Sequence, residues 1–458
     1  MSKRLILVLT LAFVVGITFG AYAEVQNVKV GGEILMQALH QKNFGLSQST
    51  TMGDKENDTS NRLITHVQIN VSADLTDNVG VVVKLLNERA WGLERIPTDT
   101  NGDVSSTSID LDLAYVTLKE FLYSPLTLKI GRQAVKFGNG LVIGSGTSAT
   151  NLASGDTARA TNYANGVPKD QRLRKSMDAM RATLDYDPLT VDLLYAKIEE
   201  GPNTDRNDNV DVYGINAAYK FNKKASVQGY VFSKVDGKTA EAITGAAPRK
   251  GSQQIHTIGI LGYLAPIANL KTSLELAGQL GNRTPTSTDT ASKRRAYAIQ
   301  AMADYTFKGK KFDPALGATF TYLSGDNQRN DEYYRNWDTM QEGQAPNIFT
   351  NHFSMTSCVV TNLRGKMKPV DDVTLSANYG YYHFPAKLNE VGLSNAYSAQ
   401  TLTMTKSKDG GSALDLFAKY DYTEDVQIGL DIGTFFPGKA FSDARSAVSV
   451  MPYLKVTF

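Results

Sequence analysis

The side chains best suited to chemistry in this sequence are arginines and lysines gathered around one glycine-broken stretch. Arg132 and Lys136 head it, and Arg159, Lys169, Arg172, Arg174 and Lys175 follow in a long polar segment. Lys84, Arg181, Arg364 and Lys366 sit elsewhere, in segments where polar and apolar residues alternate. A guanidinium presents a planar fork of donors that grips a carboxylate at two points, so spaced arginines can hand an anion from one to the next. Asp178 and Asp185 are placed to hold such arginines and to keep binding weak enough for release. The plainer alternative is that these charges solvate the wall of a water-filled lumen.

Other chemistry finds little support. His40, His66, His256, His352 and His383 are scattered without zinc-ligand spacing. Asp99-Thr-Asn101-Gly-Asp103 lacks the closing Glu of a calcium loop and reads as a surface turn. Ser376 and His383 differ in parity and fall on opposite faces of one strand, so no Ser–His constellation forms there. The lone Cys358 forms no internal disulfide and no metal-type Cys spacing. We therefore assign no catalytic, cofactor-binding or metal-binding residue and expect no enzyme.

The elements that must position the basic groups are strands. The N-terminus has a secretory leader pattern: Lys3 and Arg4, an apolar run over 5–19, and Ala21-Tyr-Ala23 before Glu24. Residues 1–23 are thus expected to be removed, leaving 24–458 as a single domain. No later run is long and apolar enough for a membrane helix. The chain has 48 basic and 46 acidic residues, two of the basic ones in the leader, so the remainder balances. That balance argues against general nucleic-acid binding and puts any charge selectivity into local placement.

Period-two alternation recurs from end to end. Val28, Val30, Ile34 and Met36 oppose Lys29, Glu33 and Gln37; Val79, Val81, Val83 and Leu85 oppose Lys84 and Glu88. Ile109, Leu111, Leu113 and Tyr115 are set against Asp110 and Asp112. The last residues put Val448, Val450, Leu454, Val456 and Phe458 on one face. About eighteen strands emerge, each long enough to cross a membrane at a tilt. Short turns alternate with long loops at 41–61, 91–107, 139–174, 201–209, 236–252, 281–293, 325–351, 385–411 and 437–444. This alternation predicts an all-β fold, a transmembrane antiparallel up-and-down β-barrel with short periplasmic turns and long extracellular loops. Tyr186, Tyr213, Tyr219, Tyr230, Tyr263, Tyr305, Phe307, Tyr379, Tyr420, Tyr422, Phe435 and Phe436 are expected in aromatic girdles.

At Gly131-Arg-Gln133 and Lys136-Phe-Gly-Asn-Gly140-Leu-Val-Ile-Gly144 the sequence resembles the alginate-export family of outer-membrane proteins. Tyr322-Leu-Ser-Gly-Asp326-Asn, the run from Trp337 to Phe349, and Gly433-Thr-Phe435-Phe-Pro-Gly438 carry the same likeness. The resemblance implies an eighteen-stranded barrel in the outer membrane of a diderm bacterium, with a basic, loop-narrowed pore for an anionic polysaccharide. The expected partners are an anionic or polar poly- or oligosaccharide, outer-membrane lipid and periplasmic export components, without nucleic acid or cofactor. A general, weakly selective porin and an adhesion barrel stay as alternatives. The loop 139–174 becomes the candidate constriction.

One conflict of register stands out. Leu126, Leu128 and Ile130 share parity with Arg132 and Lys136, so strict alternation would aim these cations at lipid. Near the midplane that costs ~2–4 kcal/mol each. A bulge at Gly131 or a place near the rim would remove the conflict.

Overall fold

The computed structural model describes residues 26–44, 59–92, 109–144, 163–164, 167–168, 171–173, 176–200, 209–237, 252–284, 292–327, 332–349, 355–386, 405, 407–441 and 445–458. The leader expected at 1–23 lies outside them.

Eighteen antiparallel strands close into one barrel. In chain order they are β1 (Gln26–Lys42), β2 (Thr59–Thr76), β3 (Val79–Ala90), β4 (Asp110–Leu118), β5 (Leu126–Gln133) and β6 (Met177–Asp185). Next come β7 (Leu189–Glu199), β8 (Val210–Asn222), β9 (Ala225–Asp236), β10 (Ser252–Leu264), β11 (Leu270–Thr284) and β12 (Ser292–Thr306). The circuit ends with β13 (Ala315–Leu323), β14 (Val359–Val370), β15 (Val373–His383), β16 (Asp409–Asp421), β17 (Val426–Pro437) and β18 (Ala447–Thr457). Each strand pairs with its sequence neighbours, and β18 pairs with β1 to close the ring. Closure leaves no strand edge open to lipid and satisfies the backbone within the wall.

The alternation sets the two faces. On β10, Ile258 and Ile260 are 55% and 52% exposed, whereas Ile255 and Thr257 are fully buried. An apolar residue fully exposed in water would be anomalous as a series, but this series forms the lipid-facing band of a barrel. Eight strand pairs, β2–β3 through β16–β17, meet at short turns at the end where β1 starts and β18 finishes. The opposite end carries the long connections and is therefore the extracellular one.

The seam is held at its periplasmic end by a reciprocal backbone pair between Gly32 and Phe458 (2.7 and 3.0 Å) and by Lys455–Glu33 (2.5 Å). The β1–β18 ladder is interrupted between Gln37↔Tyr453 and His40↔Val450. Pro452 lies in that gap, and proline has no N–H to donate.

Three expectations need correction. On β4 the alternation does not run through: Lys84 pairs with Leu113 but Leu85 with Leu111. Asp112 is the extra residue of a bulge, and beyond it Leu113 and Tyr115 turn inward while Val116 faces out. In the aromatic set, Tyr230 and Phe435 are buried inside the barrel, 5% and 0% exposed, and Tyr263 shares the inward parity of β10. Tyr186, Tyr213, Tyr219, Tyr379, Tyr420, Tyr422 and Phe436 are exposed. Finally, the strand expected from residue 352 begins at Val359, because Met355, Ser357 and Cys358 before it are buried within the barrel.

Candidate pore constriction

Three stretches leave the wall and fold into the lumen. The first begins where β5 ends. Val135, Phe137, Leu141, Val142 and Ile143 are all buried, which they could not be on a surface loop. Phe137 stacks on Phe232 of β9 with ring centroids 5.2 Å apart and lies under the Arg181 guanidinium at 5.0 Å. The Asn139 amide reaches Ser273 Oγ on β11 at 3.3 Å.

The second stretch precedes β14. Trp337, Met340 and Phe349 are 1%, 1% and 0% exposed. Its polar groups dock on the inward faces of β9 to β16. Asp338 takes a hydrogen bond from Lys234 Nζ (3.0 Å) and faces Arg294 at 3.9 Å, and its backbone exchanges two 2.8 Å bonds with the Gln279 amide. Pro346 O accepts from the Asn362 and Asn378 amides at 3.0 and 2.6 Å. Burial pushes the Asp338 carboxyl up, but Lys234, Arg294 and the Met340 N–H outweigh it and hold it below the usual range. Glu342 behaves oppositely. Burial first, and then the charge on Asp338, pushes its carboxyl well above the usual range.

The two stretches cross. Gln341 N–H donates to Val142 O (3.0 Å), Gly144 N–H to Gln341 O (2.7 Å) and Gly343 N–H to Gly140 O (2.9 Å). The crossing needs glycine: a Cβ on Gly343 would run into the Gly144 backbone, and one on Gly144 into Gly343. The third stretch lies opposite, on β1–β3. Val167 is buried with Leu39, Ile64 and Ala90, and Leu173 N–H donates to Glu88 Oε1 at 2.6 Å. Glu88 in turn meets His66 Nδ1 at 3.1 Å.

Lys84 and Arg181 face the lumen, each beside a carboxylate. Lys84 lies 3.5 Å from Asp112, and Arg181 bonds Asp192 through Nε (2.9 Å) and sits 2.8 Å from it through a terminal nitrogen. Arg364 and Lys366 also face inward, with Arg364 on Asp304 at 2.8 Å and on Thr319 at 2.5 Å. Lys136 is exposed on the first inward stretch. Arg172 belongs to the third stretch; Arg159 and Arg174 lie outside the described residues.

Arg132 and Asp178 do not join this set. They pair with each other at 3.0 Å on the outward parity shared with Ile130 and Met180. The ladder through Gly131 is continuous, so no bulge turns Arg132 inward. Its place one residue from the extracellular end of β5 is what makes an outward cation tolerable.

Lys129 is the residue that the sequence reading left out. It is the lumen-side cross-strand partner of Arg181, and its ammonium lies 3.7 Å over the Tyr115 ring. Among the described residues it has no carboxylate partner. The signal was available: if Leu128 and Ile130 face lipid, Lys129 faces water.

The sequence model described as Alginate export matches residues 33–454. Among solved structures, the barrel is similar to OccK8 (OprE) of Pseudomonas aeruginosa, with a TM-score of 0.55 at 13% identity, covering 95% of this chain and 98% of that one. OccK11 (OpdR) of the same organism gives 0.52 at 14% identity, covering 94% and 96%. OccK2 (OpdF), solved in complex with glucuronate, gives 0.53 at 10%, covering 95% and 98%. No curated protein matches the chain.

Proposed function

Because the chain belongs to the alginate export family and is a channel of the Gram-negative outer membrane for polar or anionic substrates, we propose that it passes carboxylated saccharides along the inward basic wall of β3 to β6. Lys84, Lys129 and Arg181 are the residues of that path, with Lys136 and Arg172 contributed by the inward stretches; Arg364 and Lys366 extend it on the other wall. The observation that carries this reading is Lys129 beside Arg181. Arg181 is neutralised by Asp192, whereas Lys129 has no carboxylate partner among the described residues and lies over the Tyr115 ring. A uronate carboxylate meeting this pair gains one ammonium and the free edge of a guanidinium. The pairing of the other cations with Asp112, Asp192 and Asp304 keeps the path from trapping its cargo. The glucuronate in the OccK2 structure agrees with this chemistry.

The test is the reversal potential of single channels in a salt gradient, comparing the native chain with Lys129→Glu. A unit charge close to the ion path in a hydrated lumen is worth about 1 kcal/mol, so anion-over-cation preference falls at least about fivefold. An unchanged reversal potential removes Lys129 from the path.

A further inference from the structure

The outward residues of β12 form a vertical series: Lys293, Arg295, Tyr297, Ile299, Ala301, Ala303, Tyr305. The inward residues between them, Arg294, Ala296 and Ala298, are buried. Tyr297 marks the upper aromatic level; its ring stacks on Tyr322 at 5.3 Å, and the two hydroxyls lie 3.2 Å apart. Tyr305 marks the lower level beside Phe307. Strand rise places Arg295 about 7 Å and Lys293 about 13 Å beyond Tyr297 along the strand, which is headgroup level in the outer leaflet.

Arg295 is held there in an unusual way. The segment Tyr333–Tyr334 adds as a short parallel strand to β12, with Lys293 opposite Tyr333. The Arg295 guanidinium lies 3.8 Å over the Tyr333 ring, and Arg335, which is itself 3.7 Å from Asp326, approaches that ring at 5.7 Å. Stacking occupies the face of the Arg295 guanidinium and leaves its edge donors aimed away. Arg295 is exposed and has no carboxylate partner among the described residues. Lys293 stands next to it, paired with Glu332. Two other outward cations of this rim are neutralised, Arg132 by Asp178 and Lys197 by Glu200.

We propose that Arg295 and Lys293, above the Tyr297–Tyr322 pair, bind the phosphate of a phosphorylated glycolipid of the outer leaflet. The phosphate oxygens take the guanidinium edge and the ammonium, the sugar lies against the tyrosine hydroxyls, and the acyl chains follow the Ile299 stripe. The site lies outside the barrel and is independent of what passes through the lumen.

The experiment uses the full-length protein in detergent with added bisphosphorylated lipid A, the same lipid stripped of its phosphates, or inorganic phosphate. Lipid retained per barrel is read by native mass spectrometry, and folding by heat-modifiable gel mobility. The native chain retains lipid A about tenfold over the stripped lipid. The Lys293→Ala/Arg295→Ala double variant loses that preference while its single-channel conductance stays unchanged. Glu332→Gln, which frees Lys293, increases retention. Millimolar inorganic phosphate leaves the lipid bound. Equal retention of the stripped lipid, undiminished retention by the folded double variant, displacement by millimolar inorganic phosphate, or no gain with Glu332→Gln overturns the proposal.

Discussion

Arg132 and Lys129 lie three residues apart on one strand, and the parity of a strand assigns them opposite surroundings. Arg132 turns toward the outer rim and finds Asp178; Lys129 turns into the lumen and finds Arg181 and the Tyr115 ring. The first is a local ion pair of an exposed rim, which contributes little to stability. The second is a lumen-side amine with no carboxylate partner among the described residues, on the wall proposed above as the solute path. Arg132→Ala is therefore expected to leave ion selectivity within experimental error of the native value in the same salt-gradient recording. A shift comparable to that of Lys129→Glu would show that Arg132 acts on the lumen. Lys129 was legible in the sequence through parity alone. The bulge at Asp112 was not, because the apolar pattern from Ile109 to Tyr115 stays regular while the register slips by one residue.

The inward stretches are elements in their own right, and their position rests on contacts far apart in sequence. Trp337, Met340 and Phe349 announce burial, since such side chains are misplaced in an extracellular loop. Which wall they bury against depends on carboxamides of β11, β14 and β15 and on the Gly144–Gly343 crossing, none of which local pattern reveals. Gly343→Val is expected to push the two stretches apart. Single channels of that variant should show a larger mean conductance and more frequent steps; native-like traces would mean that the crossing does not hold the constriction.

Glu342 gives the same element a pH dependence. Its Oε2 has no hydrogen-bond partner among the described residues, and burial raises its carboxyl well above the usual range. An acid whose pKa is higher docked than undocked binds more protons docked. Docking is therefore most stable below the ordinary carboxylate pKa and weakens as pH rises toward the docked value, by up to about 1.4 kcal/mol per pH unit. Asp338 works the other way, and its contribution is lost only as pH falls below the ordinary carboxylate range. Raising pH from 5 to 8 should thus increase step frequency in the native channel, and Glu342→Gln should abolish that increase. A pH response that survives the substitution would assign it to another group.

At the scale of the whole molecule, the barrel was readable because a lipid-facing wall imposes period two on every strand and because long and short connections alternate between the two sides of a membrane. Strand number, closure and topology followed from those two constraints. The residual lumen did not, because its shape is what three folded-in stretches leave over. On this account the basic wall of β3 to β6 forms the selective side of that lumen, facing stretches docked mainly on β9 to β16. The most direct measurement is single-channel recording with an oligouronate added to one side and, separately, a neutral oligosaccharide of equal length. Discrete current blocks by the oligouronate are expected at concentrations where the neutral sugar gives few, with block weakened in Lys129→Glu. Absence of block by the oligouronate, or equal block by the neutral sugar, would contradict it.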